Sequence, residues 1–142
     1  MSNGWVLVAD SAQARILEYD DKDKLEPVEE LDHPASRDQG RDLIGNRPNQ
    51  NQHNMEKTRK GEEHQALRDD ESRRFAKEVS SFLSAAHSRN RFRQLVVIAD
   101  PRFLGMLRQE LADPVASCVS KSIDKNAVRL RAEELAAMVA KA

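Results

Sequence analysis

The chain holds 142 residues with a formal net charge of −1, 33% charged side chains and 4% aromatic ones, which is enough chain for one domain of ordinary size. Near-neutrality excludes a global basic field that would gather nucleic acid by itself, and no apolar run approaches the roughly 20 residues of a membrane-spanning helix. The single cysteine, Cys118, excludes an internal disulfide framework and a cysteine-based zinc cluster, and the opening Met-Ser-Asn-Gly-Trp has no basic segment leading into an apolar one, so the chain reads as cytoplasmic.

Trp5-Val-Leu-Val-Ala9 is a short β-prone run closed by Asp10-Ser11. Arg15-Ile-Leu-Glu-Tyr19 follows after a brief connection and ends in Asp20-Asp21-Lys22-Asp23. Leu25 to Leu31 alternates loosely and closes at His33-Pro34. Three strands joined by short polar turns predict an antiparallel meander. Pro27 places the third strand at the sheet edge, where a missing N–H costs little.

The pattern then breaks. From Ser36 to Arg74 only Leu43, Ile44, Met55, Ala66 and Leu67 are apolar, against nine basic and eight acidic residues. Such a stretch cannot bury enough surface to offset its ordering entropy. It predicts a long polar mobile loop over about 34–64, inside a single domain spanning 1–142. Loops of that length in a compact domain are functional or disordered.

Beyond the loop the period becomes helical. Phe75, Val79, Phe82, Leu83 and Ala86 share one face of a helix of about five turns. Leu95-Val-Val-Ile-Ala99 is a continuous apolar strand, as in the centre of a sheet covered on both sides. Asp100-Pro101 starts a helix, with Asp at the N-cap and Pro at the first position. Phe103, Leu104, Leu107 and Leu111 form its buried stripe, and Asp113-Pro114 stops it. Val115 to Ile123 is partly ambiguous, with Cys118 to Ile123 reading as a last strand. Leu135, Met138 and Val139 mark a terminal helix. The sum is an α/β protein of order β-β-β-α-β-α-β-α. A meander followed by right-handed crossovers gives a mixed sheet with strand order 3-2-1-4-5, the layout of the ribonuclease H-like fold. That fold hosts many chemistries, so function must be argued from a site.

Two strands end alike, Val6-Leu-Val-Ala-Asp10 and Val96-Val-Ile-Ala-Asp100. As parallel neighbours they would present both carboxylates in the crevice where ligands of open α/β sheets bind. With Glu71 or Glu78 as a third acid, Asp10 and Asp100 could hold two Mg²⁺ ions about 3.5–4 Å apart, activate a water and stabilise a leaving oxygen. The structural alternative is that Asp100 caps a helix and Asp10 bonds the backbone of its own turn. No other metal site is expected. His33, His53 and His64 fit no compact ligand spacing, and Cys118 has no base assigned by any motif.

Basic side chains punctuate the polar stretch: Arg37, Arg41 and Arg47, then Lys57, Arg59 and Lys60. The amides Asn46, Asn49, Gln50, Asn51, Gln52 and Asn54 cluster in the same stretch. Phosphate contact with RNA or a ribosomal surface suits Arg37, Arg41, Arg47, Gln50, Gln52, Lys57, Arg59 and Lys60. Interleaved acids weaken the net field, and no aromatic is present for base stacking, which argues against sequence-specific single-strand recognition. A second basic set, Arg89, Arg91 and Arg93, flanks the turn into the fourth strand.

Several blocks resemble the bacterial host attachment protein family, the proteins required for attachment to host cells. They are Trp5 to Asp10 with Ala14-Arg-Ile16, Asp32-His-Pro34 with Ser36-Arg37, Arg41-Asp-Leu43, Arg74-Phe-Ala76, Phe92 to Val97, Pro101-Arg-Phe-Leu-Gly105 with Leu107, and Ile123-Asp-Lys125. Pro-Arg-Phe-Leu-Gly after a hydrophobic strand is the most specific of these. The family is similar to the middle domain of archaeo-eukaryotic release factors and Pelota, which implies the ribonuclease H-like fold. Release factors carry Gly-Gly-Gln between the third strand and the first helix, where it positions a water against the peptidyl-tRNA ester. This chain has no Gly-Gly-Gln; the nearest pieces are Gln39-Gly40 and the amide cluster from Asn46 to Asn54. The resemblance therefore implies a non-hydrolytic module that contacts RNA or the ribosome without a cofactor. The alternatives are a Mg²⁺-dependent nuclease or ester hydrolase built on Asp10 and Asp100, and a protein-interaction factor that affects host attachment indirectly.

Overall fold

The computed structural model describes residues 4–20, 24–33 and 57–142, with only the backbone described over 57–65. Among the described residues the elements run β1 (Gly4–Ala9), β2 (Gln13–Tyr19), β3 (Leu25–Asp32), α1 (Lys57–Ser88), β4 (Gln94–Ala99), α2 (Pro101–Glu110), α3 (Asp113–Ala116), β5 (Val119–Asp124) and α4 (Ala132–Lys141). The strands form one mixed sheet of order β3-β2-β1-β4-β5, as the sequence predicts. β1 pairs antiparallel with β2 and parallel with β4, Trp5 lying opposite Leu95 and Ala9 opposite Ala99.

The two central strands are apolar at every inner position because both their faces are covered. Trp5, Leu7, Ala9, Leu95, Val97 and Ala99 point to the side of α1, α2 and α3. Val6, Val8, Val96 and Ile98 point to the side of Leu135 and Val139 from α4. The register shift between Ile16 and Leu17 leaves Val28 of β3 without a partner, so β3 changes face, Leu31 packing on the first side of the sheet and Leu25 on the second, which is what a β-bulge does to side-chain alternation. Pro27 sits opposite Leu17 on the edge strand β3. The exposed Glu26, Glu29, Glu30 and Asp32 keep that edge charged, which discourages pairing with another sheet.

Two boundaries differ from the sequence reading. The polar stretch does not remain loop to residue 64, since α1 is already helical at Lys57 and runs for 32 residues. At 1.5 Å per residue that is about 48 Å, more than twice the length of the strands it crosses. Only its second half carries an apolar stripe, and hydrophobic periodicity detects only that half. Asp113-Pro114 does end α2, but it also begins the one-turn helix α3, because proline suits a helix's first turn as well as it blocks the previous one. The element order therefore gains a short helix before β5, and β5 starts at Val119.

Trp5 organises the amino end of the sheet. Its ring stacks on Phe92 at 4.9 Å and on Phe82 at 6.3 Å, and its indole N–H donates to Glu18 Oε2 at 2.9 Å. The Arg91 guanidinium lies 5.0 Å above the same ring.

Candidate functional site

The parallel register of β1 and β4 brings Asp10 and Asp100 out of the sheet side by side at its carboxyl end. Each is engaged by backbone. Asp10 Oδ1 accepts from the N–H groups of Ala12 and Gln13 at 2.8 and 2.9 Å, closing the turn from β1 to β2. Asp100 is the N-cap of α2, and its Oδ2 accepts from the Phe103 N–H at 3.2 Å. Among the described residues no group of three or more His, Cys, Asp or Glu is placed to hold a metal ion.

The acids considered as third ligands are directed elsewhere. Glu71 Oε2 meets His33 Nε2 at 2.8 Å, and Glu78 Oε1 lies 3.6 Å from His33 Nδ1. His33 is 6% exposed and stacks on Phe75 at 5.3 Å. Its backbone N–H donates to Ala12 O at 2.9 Å, which joins the end of β3 to the Asp10 turn. Arg74 approaches the other oxygen of Glu71 at 3.3 Å. His33 thus ties the end of β3 to the middle of α1.

Beside this lies a polar cleft of about 220 Å³, lined by Ser11 after β1, Arg68, Asp69 and Ser72 on α1, and Asp100, Arg102, Phe103 and Met106 at the start of α2. Arg102 is bound to Asp69 through Nη2, 2.6 Å from one carboxylate oxygen and 2.7 Å from the other. Arg68 is exposed, and neither it nor the hydroxyls of Ser11 and Ser72 have a hydrogen-bond or ion-pair partner among the described residues. Phe103 and Met106 are buried, so the walls that a ligand meets are polar.

Of the sequence candidates, the fold brings Asp10 and Asp100 to this end. Lys57, Arg59 and Lys60 fall in the first turns of α1. Arg37, Arg41, Arg47, Gln50 and Gln52 lie outside the described residues. Arg89 and Arg93 are exposed at the amino end of β4, with Arg91 between them on Trp5, away from the cleft. Sequence reasoning missed Arg68, Arg102, Ser11, Ser72 and the His33–Glu71 pair. Two signals were present: Arg68, Asp69 and Ser72 recur at i, i+1 and i+4 of a helix, and Arg102 stands inside Pro101-Arg-Phe-Leu-Gly105.

Fold and site together define an α/β protein with a mixed five-stranded sheet and a polar cleft at the carboxyl end of its central parallel pair. Residues 5–139 match the family described as "Protein required for attachment to host cells", and the chain belongs to that family. It is also similar to an uncharacterized protein of Rickettsia prowazekii (strain Madrid E), 34% identical over 70 residues. That match takes in 48% of this chain and 47% of the rickettsial protein, about half the length of each. Among the described residues no helix is long and apolar enough to cross a membrane.

Proposed function

We propose that the protein is a non-hydrolytic, release-factor-like module of ribonuclease H-like build, contacting RNA of the translation machinery from the carboxyl end of its sheet. The observation that carries this reading is the layout of that end. The chain leaves β3 at His33 beside Glu71 and re-enters as α1 at Lys57, about three turns before the cleft residue Arg68. The intervening sequence holds Arg37, Arg41, Arg47, Gln50 and Gln52, and Lys57, Arg59 and Lys60 head the helix. Cations and amides of this kind position a phosphate backbone. The segment corresponds to the place where release factors carry Gly-Gly-Gln, which this chain lacks, so peptidyl-tRNA hydrolysis is not proposed. Because backbone N–H groups engage both Asp10 and Asp100, the geometry favours binding over metal-dependent cleavage. On this reading the protein works in the cytoplasm, needs no cofactor and influences attachment to host cells indirectly.

Binding of the full-length protein to a short unstructured RNA, followed by fluorescence anisotropy over a salt series, tests this. The expected result is an affinity that falls as salt rises, and a marked loss when Arg37, Arg41 and Arg47 are together changed to Glu. Absence of binding at low salt, together with no RNA enriched by crosslinking in growing cells, would overturn it.

A further inference from the structure

We infer that the cleft between α1 and α2 is a ribonucleotide subsite, in which Arg68 and Arg102 take a phosphate while Ser11, Ser72 and the outer oxygen of Asp100 take the ribose. The inference rests on the RNA reading above and adds where one nucleotide is held and how ribose is distinguished. Two arginines and two aspartates line the cleft, so its charges cancel and a simple ion of either sign gains little from entering. Asp69 is bound to Arg102, yet only Nη2 of that guanidinium is used, leaving three of its roughly five N–H donors for an anionic oxygen. Arg68 supplies a second cation with no partner among the described residues.

Asp100 gives Oδ2 to the helix cap, which leaves Oδ1 to accept from a hydroxyl. The Ser11 and Ser72 hydroxyls can each donate or accept. A ligand that fits this set brings anionic oxygens and a free sugar hydroxyl together, which is the chemistry of a ribonucleotide. The 2′-hydroxyl is what a carboxylate acceptor reads to tell RNA from DNA. An apolar partner is disfavoured, since Phe103 and Met106 are 1% and 8% exposed. The position agrees, because ligands of open α/β sheets bind outside the carboxyl ends of the strands where the chain order switches direction. Here that point lies between β1 and β4.

The test compares matched oligouridylate and oligodeoxyuridylate on the full-length protein, with a parallel titration of uridine monophosphate followed by backbone amide NMR. Arg68→Ala should weaken both oligomers roughly tenfold and reduce the salt slope by about one. Asp100→Asn retains an N-cap side chain and should shrink the preference for RNA over DNA; Ser72→Ala should do the same. Arg108→Ala, exposed on α2 outside the cleft, should leave binding unchanged. Uridine monophosphate should shift the amides of Ser11, Arg68 and Ser72. If RNA binds and the cleft variants bind as tightly as the parent, the subsite is wrong and the RNA reading stands. If the mononucleotide shifts those amides but no oligomer binds, the subsite stands and the RNA reading falls. If neither is observed, both fall.

Discussion

His33 does more to shape the functional end of the molecule than its place at the end of a polar strand suggests. It is 6% exposed and faces Glu71 at 2.8 Å and Glu78 at 3.6 Å while packing on Phe75. At 2.8 Å the contact to Glu71 has hydrogen-bond length and at 3.6 Å the one to Glu78 does not, so Glu71 is the partner that holds the ring. Removing the ring by His33→Ala leaves the Glu71 carboxylate, itself 14% exposed, without its main donor. The expected cost is about 1–3 kcal/mol. In urea melts of His33→Ala, Glu71→Gln and the double variant, the two effects should be strongly non-additive, as residues in contact are. Additive losses would mean that the pair does not hold β3 to α1. From sequence, His33 reads as a strand terminator, because nothing local to Asp32-His-Pro34 announces a partner 38 residues away. Asp10 and Asp100 were legible as paired strand ends, and their backbone capping was legible from Pro101 and the turn that follows Asp10.

Among the elements, α1 and α4 show what periodicity can and cannot detect. The half of α1 that packs on the sheet, with Phe75, Ala76, Val79, Leu83 and Ala86 buried, is plain in the sequence. The half before it has no apolar stripe, and Leu67 is 54% exposed. Contacts to other elements hold that half in place, namely Asp69 with Arg102, Arg73 with Gln109 and Glu71 with His33. Such partners are visible only once the chain is folded, so the sequence assigned part of the helix to the loop. α4 lacks the Ser, Thr, Asp or Asn cap that marks a helix start. Arg131 occupies the N-cap position, and Glu134 turns back to accept its backbone N–H at 3.0 Å. That hydrogen bond holds the Glu134 carboxyl below the ordinary glutamate value. A folded-state value below the unfolded one stabilises the helix start above the unfolded value and is lost as pH falls through the folded one. The Arg131 amide should therefore gain hydrogen-exchange rate on acidification below the glutamate range, and Glu134→Gln should flatten that response. An unchanged pH profile in the variant would show that another group controls the helix start.

At the scale of the whole molecule the sheet is covered unequally. Among the described residues, three helices lie on the Trp5 face and α4 lies on the face of Val6, Val8, Val96 and Ile98. The thinner cover is tied down from the sheet itself. Arg15 Nη1 on β2 donates to Val128 O at 2.9 Å and Leu130 O at 2.6 Å, and Lys121 Nζ on β5 donates to Val139 O at 3.1 Å. The two faces also share strands: Trp5, Leu7 and Ala9 alternate along β1 with Val6 and Val8, so neither core can open without disturbing the other. Loss of the α4 cover should consequently unfold the chain as one unit rather than peel off a layer. Leu135, fully buried on the inner face of α4, is the point to probe. Leu135→Ala should cost about 2–5 kcal/mol through lost transfer energy and the cavity left behind. The urea midpoint should fall while the slope of stability against urea stays constant, and Trp5 fluorescence should move with the far-ultraviolet helix signal in a single transition. A reduced slope, or a helix signal lost before Trp5 responds, would instead make α4 a separable layer, and residues 1–142 would not then be one cooperative domain.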